Sequence, residues 1–196
     1  MALSCLPSPV TAKINKVVGR VQKRGIFLDR DGVLNESNII NGKPVAPRSL
    51  EDFRLIPGVR EALVTFRKLG FSIIVVTNQP DLSTGLQSWE GLRQIHSFLK
   101  GACDIDLIKV CPHLREDACQ CRKPKPGMIF EAAEELNIDL THSVLVGDRW
   151  SDIEAGRIAG IQNLFFIDYG YQERRPDGNF STIQLLRDLA KELDQY

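Results

Sequence analysis

Two carboxylates, Asp29 and Asp31, directly follow a short apolar run at residues 25–28, in the sequence DRDGVLN. Side chains two residues apart point the same way along an extended chain, so both acids can serve one site. Acids held together away from water repel each other unless a cation lies between them or one is protonated. Both conditions suit phosphate chemistry, in which one carboxylate attacks phosphorus and the other transfers the protons. The alternative is an acidic turn that only ends a strand.

A third acid, Asp148, follows another apolar run, residues 143–147, in the sequence VGDRWSD. A carboxylate is a hard oxygen ligand that suits Mg²⁺. Asp152 lies four residues further on, and the sequence leaves three roles open for it. It can be a second metal ligand, a group behind the first ligands, or an acid in the first turn of a helix, where the helix dipole favours it.

Neutral and basic groups that suit phosphate lie in two further segments. Thr77 and Asn78 end the most apolar run of the chain, in the sequence VVTNQ, where a hydroxyl and an amide can bind phosphate oxygens. Lys123 lies in the sequence RKPKPG, whose two prolines keep the segment out of regular secondary structure. A lysine held there can neutralise the charge of a transferring phosphoryl group. The simpler alternatives are a polar strand end and a solvated basic loop.

Three cysteines and a histidine form a separate cluster: Cys111, His113, Cys119 and Cys121. Three thiolates and one imidazole are a complete tetrahedral ligand set for Zn²⁺, and a set without an open position favours a structural role. The chain has five cysteines, and an odd number with one tight cluster indicates a reducing compartment rather than a disulfide framework. The alternative is a chance grouping of free cysteines.

Apolar runs of strand length alternate with segments of helical periodicity from residue 25 onward. The predicted strands cover residues 25–29, 71–77, 105–110, 143–148 and 163–167, and the predicted helices lie near residues 58–69, 89–99, 128–136, 153–158 and 183–193. This alternation predicts an α/β fold, a Rossmann-like parallel sheet with helices on both faces. Ligands of such folds bind beyond the carboxyl ends of the strands, where the acids fall. Residues 36–57 are predicted to form an irregular flap.

The composition is that of an ordinary globular protein: of 196 residues, 43% are apolar and 26% are charged. With 25 basic and 25 acidic residues the net charge is zero, so nothing indicates a nucleic acid or an anionic membrane as partner. We predict one domain over residues 25–196 in a cytoplasmic monomer. Residues 1–24 are predicted to be an N-terminal extension; they contain no acid, so an organelle transit segment is the alternative.

Taken together and in this order, the motifs DRDGVLN, VVTNQ, RKPKPGM and VGDRWSD resemble those of the haloacid dehalogenase (HAD) superfamily of phosphatases, over about residues 25–170. The resemblance implies that Asp29 is the nucleophile and Asp31 the general acid and base. It also implies that Asp29, the backbone carbonyl of Asp31 and Asp148 hold Mg²⁺, and that Thr77 and Lys123 bind the phosphoryl group. No insertion is long enough for a large cap domain.

The cysteine cluster before RKP is similar to the zinc loop of two bacterial groups in this superfamily. One group acts on D-glycero-D-manno-heptose 1,7-bisphosphate and the other on histidinol phosphate. The motifs DRDGVLN and RKPKPGM look more like the first group, and the short loop CPHLREDACQC looks more like the second. We expect a heptose bisphosphate as substrate, with Arg122 and Asn78 binding it. The alternatives are histidinol phosphate, a 3′-phosphorylated polynucleotide, and a zinc-stabilised module without activity.

Overall fold

The computed structural model describes residues 22–40 and 42–194. Most of the predicted N-terminal extension therefore lies outside the described residues. Its last two residues, Lys23 and Arg24, belong to the first strand. Among the helices of the described ranges, none is both long and apolar enough to cross a membrane.

Eight strands and six helices make up the described part of the chain. The strands are β1 (Lys23–Leu28), β2 (Asn38–Ile40), β3 (Lys43–Val45), β4 (Phe71–Asn78), β5 (Leu107–Cys111), β6 (Ile138–Gly147), β7 (Asn163–Ile167) and β8 (Ser181–Ile183). The helices are α1 (Val59–Lys68), α2 (Asp81–Thr84), α3 (Trp89–Ala102), α4 (Gly127–Leu136), α5 (Trp150–Ile158) and α6 (Leu186–Leu193).

Six of these strands form one sheet in the order β5-β4-β1-β6-β7-β8, and every neighbouring pair is parallel. The central strands are apolar without alternation because helices cover both faces of the sheet. Along β4, for example, all residues from Phe71 to Thr77 are buried. The predicted α/β class and the parallel Rossmann-like sheet are confirmed.

The two faces of the sheet carry separate apolar cores. Helices α1, α3 and α6 pack on one face, where Phe66, Ile95 and Leu189 are buried against Ile26 and Val75. Helices α4 and α5 pack on the other face, where residues such as Ile129 and Ile153 meet strand side chains that include Phe27 and Ile74. Alternate residues of β1 and β4 thus enter opposite cores, as the pleat of a strand requires.

Some short elements of the structure differ from the sequence-based prediction, which also missed the helix α2 and the first five residues of β6. Ile183, predicted to open the last helix, lies in β8 and pairs with Ile167 of β7; its three-residue spacing to Leu186 mimics helical periodicity. The predicted flap at residues 36–57 contains the antiparallel hairpin of β2 and β3, in which Ile39 pairs with Pro44. Strands of three residues give too short a pattern to be found by periodicity.

The strand order brings the predicted site residues to one edge of the sheet. Asp29 follows β1, Asp148 follows β6, and Thr77 and Asn78 end β4, so they come from three adjacent strands. Lys123 follows β5, the next strand outward. All of these strands are parallel, and their carboxyl ends therefore meet at the same edge.

Candidate active site

Lys123 is buried at the centre of the site, where its ammonium group pairs with two carboxylates and donates to one backbone carbonyl oxygen. Its Nζ lies 2.9 Å from Oδ1 of Asp29, 2.7 Å from Oδ1 of Asp152 and 2.7 Å from the carbonyl oxygen of Val76. Burial by itself lowers the pKa of Lys123, but the charges of Asp152 and Asp29 outweigh it, so the pKa is raised. The side chain is therefore a fixed positive charge beside Asp29.

Asp29 lies in an acid-rich environment. Its Oδ1 pairs with Lys123 and accepts a hydrogen bond of 2.7 Å from the backbone N–H of Arg30. Burial raises the pKa of Asp29 to about 6; Lys123 opposes this effect, while Asp152 and Asp31 add to it. The ion pair with Lys123 and the hydrogen bond from Arg30 both involve Oδ1. Within the described ranges, Oδ2 is therefore the oxygen that is left to interact with a ligand.

Three carboxylates lie close together at this edge. Asp29, Asp148 and Asp152 are all buried, and each offers an oxygen within 4.8 Å of the others. Burial, followed by the charges of Asp29 and Asp152, raises the pKa of Asp148 well above its usual range. One lysine cannot balance three acids, so the site carries excess negative charge when all are ionised.

The residues present fit a magnesium ion. The donors are carboxylate oxygens, which Mg²⁺ prefers, and among the described residues Oδ1 of Asp148 is buried without a hydrogen-bond partner. The backbone passes close to this carboxylate at Gly32, where φ is +82° and a Cβ would lie 1.9 Å from Oδ2 of Asp148. Asp152 is engaged elsewhere, because Oδ1 pairs with Lys123 and Oδ2 accepts from the backbone N–H of Arg149.

Asp31 is held by side chains that the sequence did not single out. The fully buried Arg30 donates through Nε and Nη2, with distances of 3.1 and 2.9 Å to Oδ1 and 3.0 Å to Oδ2. Asn35 donates to Oδ1 over 2.9 Å and Gln79 to Oδ2 over 2.7 Å. Behind Arg30, His96 lies 3.2 Å away; burial and the guanidinium charge lower the pKa of His96 to about 4, so the ring is the neutral acceptor.

The two polar residues at the end of β4 have different surroundings. Thr77 is fully buried, and its hydroxyl accepts a 2.7 Å hydrogen bond from Nε2 of Gln79. Asn78 binds the backbone of Lys123 twice, accepting from its N–H over 3.1 Å and donating to its carbonyl over 3.2 Å. Asn78 therefore ties the lysine segment to the sheet. Gln79, which links Thr77 with Asp31, was missed, although it is the next residue of the same motif.

The predicted zinc ligands lie together. Cys111 Sγ is 3.7 Å from Cys119 Sγ and 3.6 Å from Nδ1 of His113, while Cys121 Sγ is 3.4 Å from Cys119 Sγ and 3.2 Å from that nitrogen. Tetrahedral bonds of about 2.3 Å to sulfur and 2.0 Å to nitrogen would place ligand atoms roughly 3.5–3.8 Å apart. The spacing and donor types fit one Zn²⁺.

Two cavities meet at Lys123. One, of about 180 Å³, contains the acids and is also lined by Ser37 and Arg48. The other, of about 240 Å³, is rich in cationic side chains: its lining includes Arg115, Arg122, Lys123, Lys125 and Arg149. Arg122 donates to the carbonyl oxygen of His113 over 2.9 Å, so the cysteine loop orients the guanidinium at this second cavity.

Two tyrosines beyond β7 also reach the site and were missed by the sequence analysis. The hydroxyl of Tyr171 donates to Oδ2 of Asp148 over 2.8 Å, and that of Tyr169 donates to the carbonyl oxygen of Gly32 over 3.0 Å. Burial and then the charge of Asp148 raise the pKa of Tyr171, so its hydroxyl stays protonated. They lie outside all four motifs, and no local pattern indicated them.

A parallel sheet with this acid-rich carboxyl edge defines a hydrolase of the HAD class, and residues 120–170 match the HAD-hydrolase-like family. The D-glycero-beta-D-manno-heptose-1,7-bisphosphate 7-phosphatase of Photorhabdus laumondii is 35% identical over 157 residues, which cover 74% of this chain and 80% of that enzyme. The D-glycero-alpha-D-manno-heptose-1,7-bisphosphate 7-phosphatase of Campylobacter jejuni is 33% identical over 165 residues, covering 82% and 89%.

A solved structure shows the same relationship. The D,D-heptose 1,7-bisphosphate phosphatase from B. bronchiseptica, complexed with magnesium and phosphate, superposes with a TM-score of 0.76 at 29% identity, covering 88% of this chain and 98% of that one. The chain therefore belongs to the family of HAD-like phosphatases that includes these enzymes. It is a phosphoric monoester hydrolase, as the four motifs predicted.

The raised pKa of Asp29 predicts that this acid destabilises the metal-free fold. The pKa of Asp29 is about 6 in the folded protein and has an ordinary value of 3.8. The free energy of unfolding therefore falls as the pH rises from about 4 to about 6, and it stays at the lower value above pH 6. Asp29→Asn cannot ionise, so we expect its melting temperature to exceed that of the wild type at pH 7.5 by roughly 3–10 °C. Calorimetry in Mg²⁺-free buffer measures this; a chelator is omitted because it would also remove any metal ion held by the cysteine cluster.

The exposed Asp104 provides the control, since Asp104→Asn should change the melting temperature by about 1 °C or less. Added Mg²⁺ should reduce the difference in melting temperature between Asp29→Asn and the wild type. We expect this because the ion should bind the wild-type site more tightly than the site of the variant. A lower melting temperature for Asp29→Asn at pH 7.5 would contradict the electrostatic account.

Proposed function

We propose that the chain is a Mg²⁺-dependent phosphatase that forms an aspartyl-phosphate on Asp29 and removes the 7-phosphate of D-glycero-D-manno-heptose 1,7-bisphosphate. The observation that carries the chemistry is the pairing of Asp29 with Lys123: one carboxylate oxygen is held by a buried cation 2.9 Å away, and the other remains for attack. The names of the relatives at about 35% identity support the substrate.

In the first step an oxygen of Asp29 attacks phosphorus and the bond between phosphorus and the sugar oxygen breaks. Asp31 gives its proton to that oxygen, and the sugar leaves as an alcohol. Lys123 stabilises the negative charge on the transferring group. Arg30, Asn35 and Gln79 hold the carboxylate of Asp31 at the cavity that contains the acids.

In the second step water attacks the aspartyl-phosphate and Asp31 takes the proton from that water. Phosphate leaves and Asp29 is restored as a carboxylate. A magnesium ion held by Asp29, Asp148 and the backbone carbonyl of Asp31 would supply the positive charge that three crowded acids and an incoming phosphate dianion require. Thr77 and Lys123 are proposed to bind the phosphoryl oxygens, and Asn78 fixes the lysine segment through its backbone.

The basic cavity beside Lys123 supports a bisphosphate over histidinol phosphate. A second phosphate is a dianion and would meet Arg122, Arg115 and Lys125 there. The ammonium group of histidinol phosphate would meet like charges in the same place, which is unfavourable. Arg122 suits an anion best because a guanidinium binds phosphate through two parallel hydrogen bonds. We also propose that the protein acts as a cytoplasmic monomer with a structural Zn²⁺.

The first prediction for this function concerns the two acids of DRDGVLN. Asp29→Asn should abolish turnover, since an amide cannot attack phosphorus. A stable phosphate analogue such as beryllofluoride should bind to Asp29 of the wild type and should not bind to the variant. Asp31→Asn should lower kcat/KM most for esters with poor leaving groups and least for p-nitrophenyl phosphate. Steady-state kinetics over a series of esters test both. Near wild-type turnover by Asp29→Asn would exclude the nucleophile assignment.

A second prediction concerns the distal phosphate. Arg122→Ala should lower kcat/KM for the heptose bisphosphate by about 10²-fold, the loss expected for a charged hydrogen bond of ~1.5–3 kcal/mol. It should barely change hydrolysis of p-nitrophenyl phosphate, which has no second phosphate. Arg93→Ala, which removes an exposed arginine paired with Glu90 on α3, is the matched control. An equal loss for both substrates would assign Arg122 to the reacting group or to the fold.

A third prediction is one bound Zn²⁺ per chain, measured by elemental analysis of purified protein. Cys119→Ser should lower the zinc content and the melting temperature, because metal binding and folding of the loop are coupled. Cys103→Ser is the control for the zinc content, which it should leave unchanged, since this buried cysteine lies outside the ligand cluster. Protein without zinc and with free thiols at Cys111, Cys119 and Cys121 would refute the site.

A further inference from the structure

The loop that follows β7 carries a stacked pair of tyrosines. The rings of Tyr169 and Tyr171 lie 5.6 Å apart between centroids at an interplanar angle of 28°. Both hydroxyls extend to the active site, but to different acceptors: Tyr171 binds Oδ2 of Asp148 over 2.8 Å, and Tyr169 binds the carbonyl oxygen of Gly32 over 3.0 Å. Only one of the two therefore contacts an acid of the metal site.

The hydrogen bond from Tyr171 restricts the rotation of the Asp148 carboxylate. Its Oδ2 is held by the hydroxyl, whereas Oδ1 is buried and has no hydrogen-bond partner among the described residues. Fixing one oxygen of a carboxylate also fixes the other, since the group is planar and has one rotatable bond to Cβ. Such hydrogen bonds to a ligating carboxylate commonly change metal affinity by about 10- to 100-fold.

We propose that Tyr171 is a positioning residue for magnesium binding: its hydroxyl holds the Asp148 carboxylate in the orientation that binds the ion together with Asp29. This inference rests on the proposed function, in which Asp148 is a ligand of Mg²⁺. Tyr169 holds the turn of the nucleophile loop through Gly32 and does not contact a ligand side chain. The hydroxyl of Tyr171 thus orients a proposed metal ligand, and the hydroxyl of Tyr169 holds the backbone turn.

The loop has ties that do not depend on the Tyr171 hydroxyl. Arg175 pairs with Asp168 over 2.8 Å, and the backbone N–H of Gly170 binds Oδ1 of Asp168 over 2.9 Å. The backbone N–H of Gln172 binds the carbonyl oxygen of Gly42 over 3.2 Å. Removal of one hydroxyl should therefore leave the loop and the ring stack in place, so that Tyr171→Phe removes only the contacts of that hydroxyl, to Asp148 and to Ser37.

The test compares Tyr171→Phe with Tyr169→Phe, which is the same substitution on the partner ring. Titration of the zinc-loaded full chain with MgCl₂, without substrate, is followed by calorimetry, and Mn²⁺ binding is followed by electron paramagnetic resonance as a second measurement. We expect Tyr171→Phe to weaken binding of both ions by about 10- to 100-fold and Tyr169→Phe to change it by about threefold or less. The Mg²⁺ concentration for half-maximal hydrolysis of p-nitrophenyl phosphate should shift in parallel, with kcat recovered at saturating Mg²⁺.

Asp148→Asn separates this inference from the proposed function. If Asp148→Asn loses ion binding while Tyr171→Phe binds Mg²⁺ and Mn²⁺ like the wild type, the positioning role is wrong and the metal site stands. If Asp148→Asn also binds both ions like the wild type, the proposed metal site itself is wrong. Equal weakening by Tyr169→Phe and Tyr171→Phe would assign the effect to the ring stack or the loop and would overturn the role of the hydroxyl.

Discussion

Three buried carboxylates around one buried lysine are the constraint on which the rest of the structure depends. Asp29, Asp148 and Asp152 offer oxygens within 4.8 Å of one another, and Lys123 contacts two of them. Burial of like charges at this distance is unfavourable unless cations balance them, and the raised pKa values of Asp29 and Asp148 record that cost. Because the acids outnumber the lysine, the cluster favours the binding of a divalent cation.

Much of the surrounding structure restrains the lysine and the acids. Asn78 binds both the backbone N–H and the carbonyl of Lys123, and the cluster of cysteines and histidine ends at Cys121, two residues before it. The segment that carries the lysine is thus tied to the sheet and to the cysteine loop, although it has no regular secondary structure. At Gly147 a Cβ would lie 2.1 Å from Cβ of Asp152, so only glycine lets this acid approach the strand end.

The sequence was informative where a motif follows a strongly apolar strand. The strands near Phe27, Val75 and Val146 are buried on both faces, so their composition alone indicated a parallel sheet, and the residues after them were identified as a common site. The strands that the sequence did not predict are short. They are the hairpin of β2 and β3, and β8, where Ile183 pairs with Ile167. Strands of three residues are stabilised by their neighbours rather than by their own pattern, so periodicity does not find them.

The sequence by itself determined the chemical class of the site, because the four motifs carry the acids and the lysine and their order defines the family. Only the tertiary structure showed what holds these groups. Arg30 and Gln79 proved to bind Asp31, and Tyr171 reaches Asp148 from 23 residues further along the chain. The reason is physical: the identity of a reactive side chain is local, but its orientation is set by hydrogen-bond partners that the parallel sheet brings together from distant segments.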